Sequence, residues 1–406
     1  MTTDKLYLND ALLLHFQGTV TAVGRLGDQA TVCLDRSAFY GEAGGQLGDT
    51  GVLHQDGRFW TVTDCQYDDA GMLHHLLAAA DDLPAVGAVV TGEVTFARRR
   101  DMMSQHTGQH LLSATFDQLL GAATVSSRLG AAESTLDLDV EDLSDAALAQ
   151  VLDHAGRIVN ENRPVRPLYP DDAALQAMNL RRLPKVTQNI RIIEIEGFDR
   201  TPCGGTHCST TGQIGPLYVT ATSRVRGRVR VHFLCGDRVT SRLAGLDAGL
   251  RDLGAQLGCG AAGVAEAVVK LQKDLKTLQQ QFAGTRATLL DYLCKEWHAA
   301  HPPRSDGYTP LTVLRPDDDI GALRALGAAL ARREDVVALC VGRDPASGDW
   351  RVVLDAHPAT GFDAGAWFRG PGKALGGRGG GRGPHAEGSF PGDLDPHLLR
   401  LDAPDA

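Results

Sequence analysis

The chain has 406 residues, of which 43% are hydrophobic and 22% are charged. This composition is close to that of soluble globular proteins and excludes a disordered chain or a small disulfide scaffold. Forty Lys and Arg residues against fifty Asp and Glu residues give a formal net charge of −10. Any contact with nucleic acid must therefore use a local basic patch.

The cysteines and the amino terminus indicate a cytoplasmic protein. The eight cysteines include no CxxC pair, and the first residues lack the layout of a signal peptide. No stretch reaches the roughly 18 apolar residues that a membrane helix needs. We therefore expect a soluble, cytoplasmic chain with no membrane contact.

Residues 1–100 are predicted to form a β barrel. Short alternating apolar runs, such as 18–23 and 30–34, are separated by Gly, Asp and Asn. The glycine-rich segment at 37–51, SAFYGEAGGQLGDTG, is either a turn-rich connection between strands or a loop that a substrate approaches closely. In the second interpretation, the Ser37 hydroxyl and the Gln46 side chain are its hydrogen-bonding groups.

Residues 101–236 are predicted to be an α+β domain. Their periodicity predicts helices over 99–120 and 145–160, and strands over 190–195 and 216–222. The tract RVRGRVRV at 224–231 alternates strictly, which predicts four arginines on one face of a single strand. Arg224 and Arg226 are then either nucleic-acid contacts or part of an ordinary solvated face.

Two motifs in this domain can supply ligands to one metal. His106 and His110 are four residues apart on the first predicted helix, so their imidazoles share a face. In the CGGTH motif, the glycines let Cys203 and His207 face one point. Three imidazoles and a thiolate form a borderline-soft donor set that suits Zn²⁺. An HxxxH pair alone is often a coincidence, and Thr107 stands where a zinc protease has its glutamate, so we do not expect a protease.

Residues 237–303 are predicted to be a helical spacer and residues 304–406 a small α/β domain. Leucines at spacings of three and four indicate long helices that break near 258–260. The α/β domain is predicted to contain strands and one helix between 311 and 354, and a flexible Gly-Arg loop at 370–383. This loop is not a P-loop, because Ala374 follows its Gly-Lys pair. Its cations are either phosphate contacts or solvated side chains, and they are Lys373, Arg378 and Arg382.

Three segments in this order resemble the editing half of alanyl-tRNA synthetase and the freestanding AlaX editing proteins: FYGEAGGQLGDTG, SQHTGQHLLSA and TPCGGTHCSTTGQIG. The later GGRGGGRGPHAEG segment resembles the carboxy-terminal domain, DHHA1, that alanyl-tRNA synthetase shares with DHH phosphoesterases. The long form of AlaX has all of these parts. The resemblance thus implies an α+β chain with an amino-terminal β barrel, a zinc-containing editing domain, a helical spacer and a tRNA-binding α/β domain.

The resemblance also implies a function. It indicates a trans-editing hydrolase that deacylates Ser-tRNA(Ala), with Gly-tRNA(Ala) as a second candidate substrate. The implied Zn²⁺ ligands are His106, His110, Cys203 and His207. Gln46 is implied to lie beside the metal, and Ser37, where the family more often has threonine, to recognise the serine side chain. The implied tRNA contacts are Lys373, Arg378 and Arg382, near His385, where the family has a methionine.

Charging of tRNA is not expected, because the barrel-like segment begins within about ten residues of Met1. ATP binding is not expected either. A homodimer through the carboxy-terminal half is compatible with the resemblance. The main alternative is a non-catalytic tRNA-binding protein with a structural zinc, and a weaker one is a general zinc esterase for small molecules.

Overall fold

The computed structural model describes residues 3–78, 82–178, 180–184, 190–301 and 307–401. The chain forms two compact units, Met1–Gln256 and Leu257–Ala406. The predicted division into four segments stays a prediction, and its last boundary, at 303–304, lies outside the described residues. No helix in the described part of the chain is long and apolar enough to cross a membrane.

The first unit begins with a closed six-stranded barrel, in the segment where the sequence predicts one. The strands of this segment are β1 (Asp4–Lys5), β2 (His15–Leu26), β3 (Gln29–Leu34), β4 (Arg36–Ser37), β5 (Gly51–Gln55), β6 (Arg58–Tyr67), β7 (Leu73–Leu77) and β8 (Val89–Val94). The barrel strands follow the order β2-β3-β7-β6-β5-β8, and β1 pairs in parallel with β4. The barrel interior contains Val20, Phe39 and Leu53.

A layer of helices and two sheets completes the first unit. The sheets have the orders β14-β15-β10-β9 and β11-β12-β13. Their core includes Phe116, Leu136 and Phe233. The elements are α1 (Phe96–Leu120), β9 (Thr124–Leu129), β10 (Ser134–Leu138), α2 (Asp145–Asn160), β11 (Val165–Leu168), α3 (Asp172–Ala177), β12 (Ile192–Ile195), β13 (Asp199–Pro202), β14 (Leu217–Val225), β15 (Arg228–Cys235) and α4 (Asp237–Gln256).

Helix α1 is the central element of this layer. It is buried on all sides from Met102 to Phe116, which is unusual for a stretch rich in His, Gln, Ser and Thr. Gly121 ends the helix in the left-handed conformation, with φ of +63°. Because buried polar side chains need partners, the polar residues of α1 are placed for specific contacts rather than for solvent.

The tract at 224–231 corrects the prediction of a single strand with four arginines on one face. Strand β14 ends at Val225, and β15 starts at Arg228 and runs antiparallel to it. Arg226 and Gly227 form the turn between them, with φ of +52° and +76°. A two-residue turn with positive φ at both positions is the usual connection of a β hairpin. Arg226 therefore lies at a hairpin tip.

The second unit contains a long helix followed by a small α/β fold. Its five-stranded sheet has the order β16-β17-β18-β20-β19, and Cys294 of the long helix packs on Leu311 and Leu323. The elements are α5 (Val264–Ala300), β16 (Thr309–Leu314), α6 (Ile320–Leu330), β17 (Val336–Arg343), β18 (Trp350–Ala356), α7 (Ala364–Trp367), β19 (Arg378–Arg382) and β20 (His385–Phe390).

The Gly-Arg tract corrects the prediction of a flexible loop. Residues Arg378–Arg382 form the edge strand β19, paired antiparallel with β20. A Cβ atom on Gly379 or Gly381 would overlap the backbone of the partner strand, so the glycines allow this close pairing. The arginines at both ends of β19 stay exposed.

Candidate metal centre

Four side chains from two elements converge in the first unit. They are His106 and His110 of α1, and Cys203 and His207 of the CGGTH loop that follows β13. Their ligand atoms all lie within 4.8 Å of one another. The Cys203 Sγ atom is 3.4 Å from Nε2 of His106 and 3.4 Å from Nε2 of His207. Metal–ligand bonds of about 2.0–2.3 Å in a tetrahedron give edges of about 3.3–3.6 Å, so these spacings fit a shared cation.

Gln46 fixes the orientation of the His106 ring. Its Oε1 atom accepts from the Thr206 backbone N–H at 3.3 Å and lies 2.7 Å from Nδ1 of His106. Its Nε2 atom donates to the Thr206 hydroxyl at 2.9 Å. Since Oε1 is an acceptor, the proton of the neutral His106 ring is on Nδ1. The lone pair of Nε2 then faces Cys203, as a metal ligand requires.

Thr107 plays the equivalent part for His207. Its hydroxyl donates to the Met103 carbonyl at 2.8 Å and accepts from the Cys208 N–H at 3.0 Å. The remaining lone pair faces Nδ1 of His207 at 3.3 Å, so this nitrogen donates. The His207 Nε2 lone pair is therefore also directed at Cys203. Two of the three imidazoles thus have a tautomer suited to metal binding.

Burial keeps the three imidazoles neutral. It lowers the pKa of His106 and of His207 well below the ordinary value, and neighbouring histidines and Arg191 lower both further. Burial and the nearby arginines lower the pKa of His110 to about 3. His110 Nδ1 is also buried with no hydrogen-bond partner among the described residues, a cost that a bound ligand could relieve. A cluster of neutral imidazoles suits a cation better than a set of protonated rings would.

Arg191 stabilises the loop that carries Cys203 and His207. Its guanidinium Nη1 donates to the carbonyls of Cys203 and Gly205, each at 2.9 Å. Burial raises the pKa of the Cys203 thiol, whereas a hydrogen bond from the Gly205 N–H and the charge of Arg191 oppose that rise. A Cβ atom on Gly205 would overlap the His106 ring, so only glycine lets this loop approach α1.

The glycine-rich loop reaches the cluster through a tight turn. Gly44 and Gly45 have φ of +59° and +84° and connect Ala43 to Gln46, whose backbones exchange two hydrogen bonds. The Gly45 carbonyl accepts from the Leu129 N–H at 2.7 Å, which attaches the turn to β9. Positive φ at both glycines and the close approach of β9 explain why Gln46 is fully buried beside His106.

Ser37 occupies a different place from Gln46. Its hydroxyl lies 2.8 Å from Nε2 of His75 and accepts from the Phe39 N–H at 3.1 Å. His75 Nδ1 donates to the Val32 carbonyl at 2.9 Å, so its Nε2 accepts the Ser37 proton. Ser37 and His75 are both fully buried. The hydroxyl is thus satisfied by groups of the barrel, and its contacts are not shared with the metal cluster.

A cavity of about 760 Å³ opens beside the cluster. His106, His110 and Cys203 line it, together with Gly44 of the glycine-rich loop. Its volume falls in the range of roughly 300–1,000 Å³ that is common for small-molecule sites. Three members of the cluster are therefore reached from one cavity.

The other predicted nucleic-acid residues lie apart from this cavity or in the other unit. Arg224 pairs with Asp142 at 3.2 Å on the exposed hairpin, and Arg226 lies at its tip. The three predicted tRNA contacts of the second unit, Lys373, Arg378 and Arg382, are exposed and form no ion pair within the part of the chain that the structure describes.

The residues that support the ligands have only weak signals in the sequence. Thr107 and Thr206 each lie next to a ligand in the chain, which is a weak signal because threonine is common beside any motif. Arg191 stands between Ile190 and Ile192, immediately before β12, and an arginine between apolar residues is expected to have buried partners.

Comparisons with known proteins find sequence similarity to domains of aminoacyl-tRNA synthetases. The family "tRNA synthetases class II (A)" matches residues 9–98, and the "Threonyl and Alanyl tRNA synthetase second additional domain" matches residues 190–231. The alanine–tRNA ligase of Ignicoccus hospitalis is 28% identical over 95% of this chain and 41% of its own length. The enzymes of Archaeoglobus fulgidus and Bordetella petrii are 28% and 30% identical over 97% and 91% of this chain, and over 43% of their own lengths.

This chain is similar in sequence to the alanine–tRNA ligases. The resemblance predicted from the motifs is thereby confirmed, and the matches fit an AlaX-like editing protein that resembles the editing and carboxy-terminal domains of alanyl-tRNA synthetase. The chain spans about two fifths of the length of the curated relatives that it matches. The crystal structure of the C-Ala domain from Aquifex aeolicus alanyl-tRNA synthetase is 24% identical over 23% of this chain and 85% of its own, with a TM-score of 0.21, which carries no structural argument.

Proposed function

We propose that this chain is a zinc-dependent aminoacyl-tRNA deacylase that hydrolyses the ester of Ser-tRNA(Ala), and of Gly-tRNA(Ala) as a second substrate, without charging tRNA. The observation that supports this most is the access to the cluster: His106, His110 and Cys203 line one cavity of about 760 Å³. Access from a cavity favours a catalytic site over a structural one that is closed to solvent. The four protein ligands would fill a tetrahedral site, so catalysis at the metal requires that one ligand yields or that the coordination expands.

The donor set favours zinc over harder cations. One thiolate and three imidazoles are ligands that Zn²⁺ accepts in tetrahedral sites, and magnesium or calcium would require oxygen ligands. When bound, zinc would lower the pKa of a water or polarise the ester carbonyl. The chain's own part is to hold the imidazoles in the required tautomers, through Gln46 and Thr107, and to position the ester in the cavity.

The proposed substrate rests on the relatives. The curated homologues are alanine–tRNA ligases, which supports a role connected with tRNA(Ala). The matched second additional domain includes Cys203 and His207, so it contributes half of the cluster. Hydrolysis is a reaction that a metal site beside a cavity can support without a nucleotide cofactor.

We propose that the second unit binds tRNA through Lys373, Arg378 and Arg382. These exposed cations suit phosphate groups. Replacing all three by alanine should weaken binding of tRNA(Ala) and lower the slope of log affinity against log salt by roughly 2.7, or 0.9 per contact with a duplex phosphate. An unchanged affinity and slope in the triple variant would contradict this role. A cytoplasmic location and a homodimer through the carboxy-terminal half remain predictions.

The metal assignment is tested with two neighbouring cysteines. Cys203→Ala should lose zinc and deacylation of Ser-tRNA(Ala) together, whereas Cys208→Ala should keep the metal, because Cys208 is buried outside the cluster. Zinc content and the deacylation rate are measured on the same preparations. If Cys203→Ala loses zinc but deacylates at the original rate, zinc is not needed for the hydrolysis and its role is structural. If the unmodified, zinc-loaded chain binds tRNA(Ala) but does not deacylate Ser-tRNA(Ala), the chain is better described as a tRNA-binding protein with a structural zinc.

A further inference from the structure

The cavity beside the metal cluster has an unusual charge. Four cationic side chains line it, namely Lys5, Arg181, Arg182 and Arg191. Among the described residues of its lining there is no aspartate or glutamate. The whole chain, in contrast, has a net charge of −10. A concentration of positive charge on a cavity wall in an acidic protein indicates an anionic ligand.

We propose that Lys5, Arg182 and Arg191 bind phosphodiester groups of the single-stranded 3′ end of an RNA in this cavity. The proposal deepens the function proposed above, because it names residues that would hold the substrate next to the metal. None of these three residues belongs to a recognised sequence motif of this chain.

The pairing of each cation supports this choice. Arg181 is partly neutralised, since it lies 3.3 Å from Asp199 and also donates to Thr201. Lys5 has its ammonium 4.4 Å from the centre of the Tyr67 ring and no carboxylate partner in the described part of the chain. Arg182 is exposed and likewise forms no ion pair within the described ranges. Two cations at the cavity are thus free to bind an anion.

Arg191 adds a buried charge at the base of the CGGTH loop. Its side chain is only 8% exposed, and its partners are backbone carbonyls rather than a carboxylate. Its Nε atom is buried with no hydrogen-bond partner among the described residues. An uncompensated buried guanidinium is costly, and an anion in the cavity would reduce that cost.

The rest of the lining favours RNA over a free phosphate ion. Tyr169 is 54% exposed and offers a ring on which a base can stack. Ser127 of β9 offers a hydroxyl for sugar or phosphate oxygens, whereas the hydroxyl of its neighbour Ser126 donates to Asp137 at 2.6 Å. A cavity of about 760 Å³ is far larger than one phosphate needs. Charge, a stacking surface and a hydroxyl together match a nucleotide chain.

The hairpin arginines provide a useful contrast. Arg228 and Arg230 lie 2.9 Å and 2.6 Å from Asp139 and Asp137, and Arg224 is also paired. Their charge is largely compensated by the neighbouring loop and strand. More of the positive charge that lacks a carboxylate partner therefore lies at the cavity than on the hairpin at 224–231, where the sequence predicted a row of arginines.

The test uses an acceptor-stem minihelix of tRNA(Ala) that carries no amino acid. Its binding to the full chain is measured by fluorescence anisotropy. The double variant with Lys5→Ala and Arg182→Ala should bind the minihelix about tenfold more weakly than the original chain does. Its slope of log affinity against log salt should fall by roughly 1.4, or 0.7 per single-strand phosphate contact. Arg157→Ala with Arg251→Ala, which removes the same charge from exposed helix positions, should bind as the original chain does.

A minihelix without its single-stranded 3′ tail identifies the contact. The original chain should bind it more weakly, and the cavity variant should show no further loss. Equal loss in the cavity and control variants, or a loss that is independent of the tail, would overturn the proposal. Displacement of the minihelix by inorganic phosphate, but not by chloride at the same ionic strength, would also overturn it in favour of a phosphate-ion site.

Two further measurements keep the result interpretable. Arg182→Glu alone changes an exposed residue, so it tests the proposal if the double variant does not fold. The zinc content of each variant shows whether the four metal ligands keep their arrangement. Binding of a minihelix without an attached amino acid does not require hydrolysis. If the chain binds the minihelix through these residues but does not deacylate Ser-tRNA(Ala), the proposed function is refuted and this inference stands.

Discussion

The side-chain oxygen of Gln46 lies 2.7 Å from Nδ1 of His106, so a residue of the barrel segment sets the tautomer of a ligand on α1. Partners of this kind typically change metal affinity by 10–100-fold when they are removed. Gln46→Ala should therefore weaken zinc binding by that factor, as measured by competition with a chelator.

Gln46→Glu is the matched control. A carboxylate can still accept the proton of His106 Nδ1, so zinc affinity should stay near the original value. The bond to the Thr206 hydroxyl changes, because the amide donor is lost. If alanine and glutamate at this position weaken zinc equally, the hydrogen bond to His106 is not what supports the metal.

Two adjacent glycines of the CGGTH loop offer a second prediction. A Cβ atom at Gly205 would overlap the His106 ring, whereas one at Gly204 would meet no atom within 4 Å. Gly205→Ala should displace His106 and release zinc, and Gly204→Ala should retain it. Metal analysis of the two purified variants distinguishes them, and full zinc occupancy in Gly205→Ala would show that the loop can shift without losing its ligands.

A buried ion pair connects the glycine-rich loop with α1. Arg99 and Asp49 are both fully buried, and the same guanidinium donates to the Ala38 carbonyl at 2.6 Å. Asp49→Asn leaves the arginine charge uncompensated, so the free energy of unfolding should fall by about 3–5 kcal/mol. Asp153→Asn, at an exposed pair with Arg157, should change it by less than about 1 kcal/mol. Urea unfolding of both variants is the measurement, and similar small losses would contradict the role of the buried pair.

His75 predicts a dependence of stability on pH. Burial lowers its pKa to about 4 from 6.5, so the unfolded chain binds a proton more readily than the folded one. The contribution is present above about pH 6.5 and is lost as the pH falls towards 4, by up to about 3 kcal/mol at 1.36 kcal/mol per pKa unit. His75→Gln should lose stability less steeply between pH 7 and pH 4.5. Parallel curves for the two proteins would contradict this assignment.

Much of the first unit follows from local patterns. Helix α2 has the bounds that its periodicity predicts, because Ser144 caps it by accepting from the Ala147 N–H and its apolar face is continuous. The metal ligands could also be predicted from the sequence, because a spacing of four on a helix and a glycine-containing loop limit where those side chains can point.

The rest depends on tertiary contacts that no local pattern encodes. The alternation at 224–231 is the same for one strand and for a hairpin, and only the positive φ of Arg226 and Gly227 separates them. The glycines of β19 have low strand propensity, so its pairing with β20 depends on the close approach of two backbones. Lys5 and Arg182 are 177 positions apart in the sequence, and the tertiary fold places both on the lining of one cavity.

The recognition of serine by Ser37 stays a prediction, and the structure sharpens its test. The Ser37 hydroxyl is bound to His75 inside the barrel, so Ser37→Ala leaves a buried acceptor unpaired and should cost about 1–3 kcal/mol of stability. A direct role in selection would also lower the ratio of seryl to glycyl ester hydrolysis. A stability loss with an unchanged ratio would assign Ser37 to the fold alone.

The central claim is most directly tested by the rates at which the unmodified, zinc-loaded chain deacylates Ser-tRNA(Ala) and Ala-tRNA(Ala), prepared on the same tRNA. We expect hydrolysis of the seryl ester at least about 100-fold faster than that of the alanyl ester, because a site that pairs with a substrate hydroxyl leaves its own polar groups unpaired when the hydroxyl is missing. Equal rates on the two esters would contradict a proofreading role, even if zinc were bound by His106, His110, Cys203 and His207.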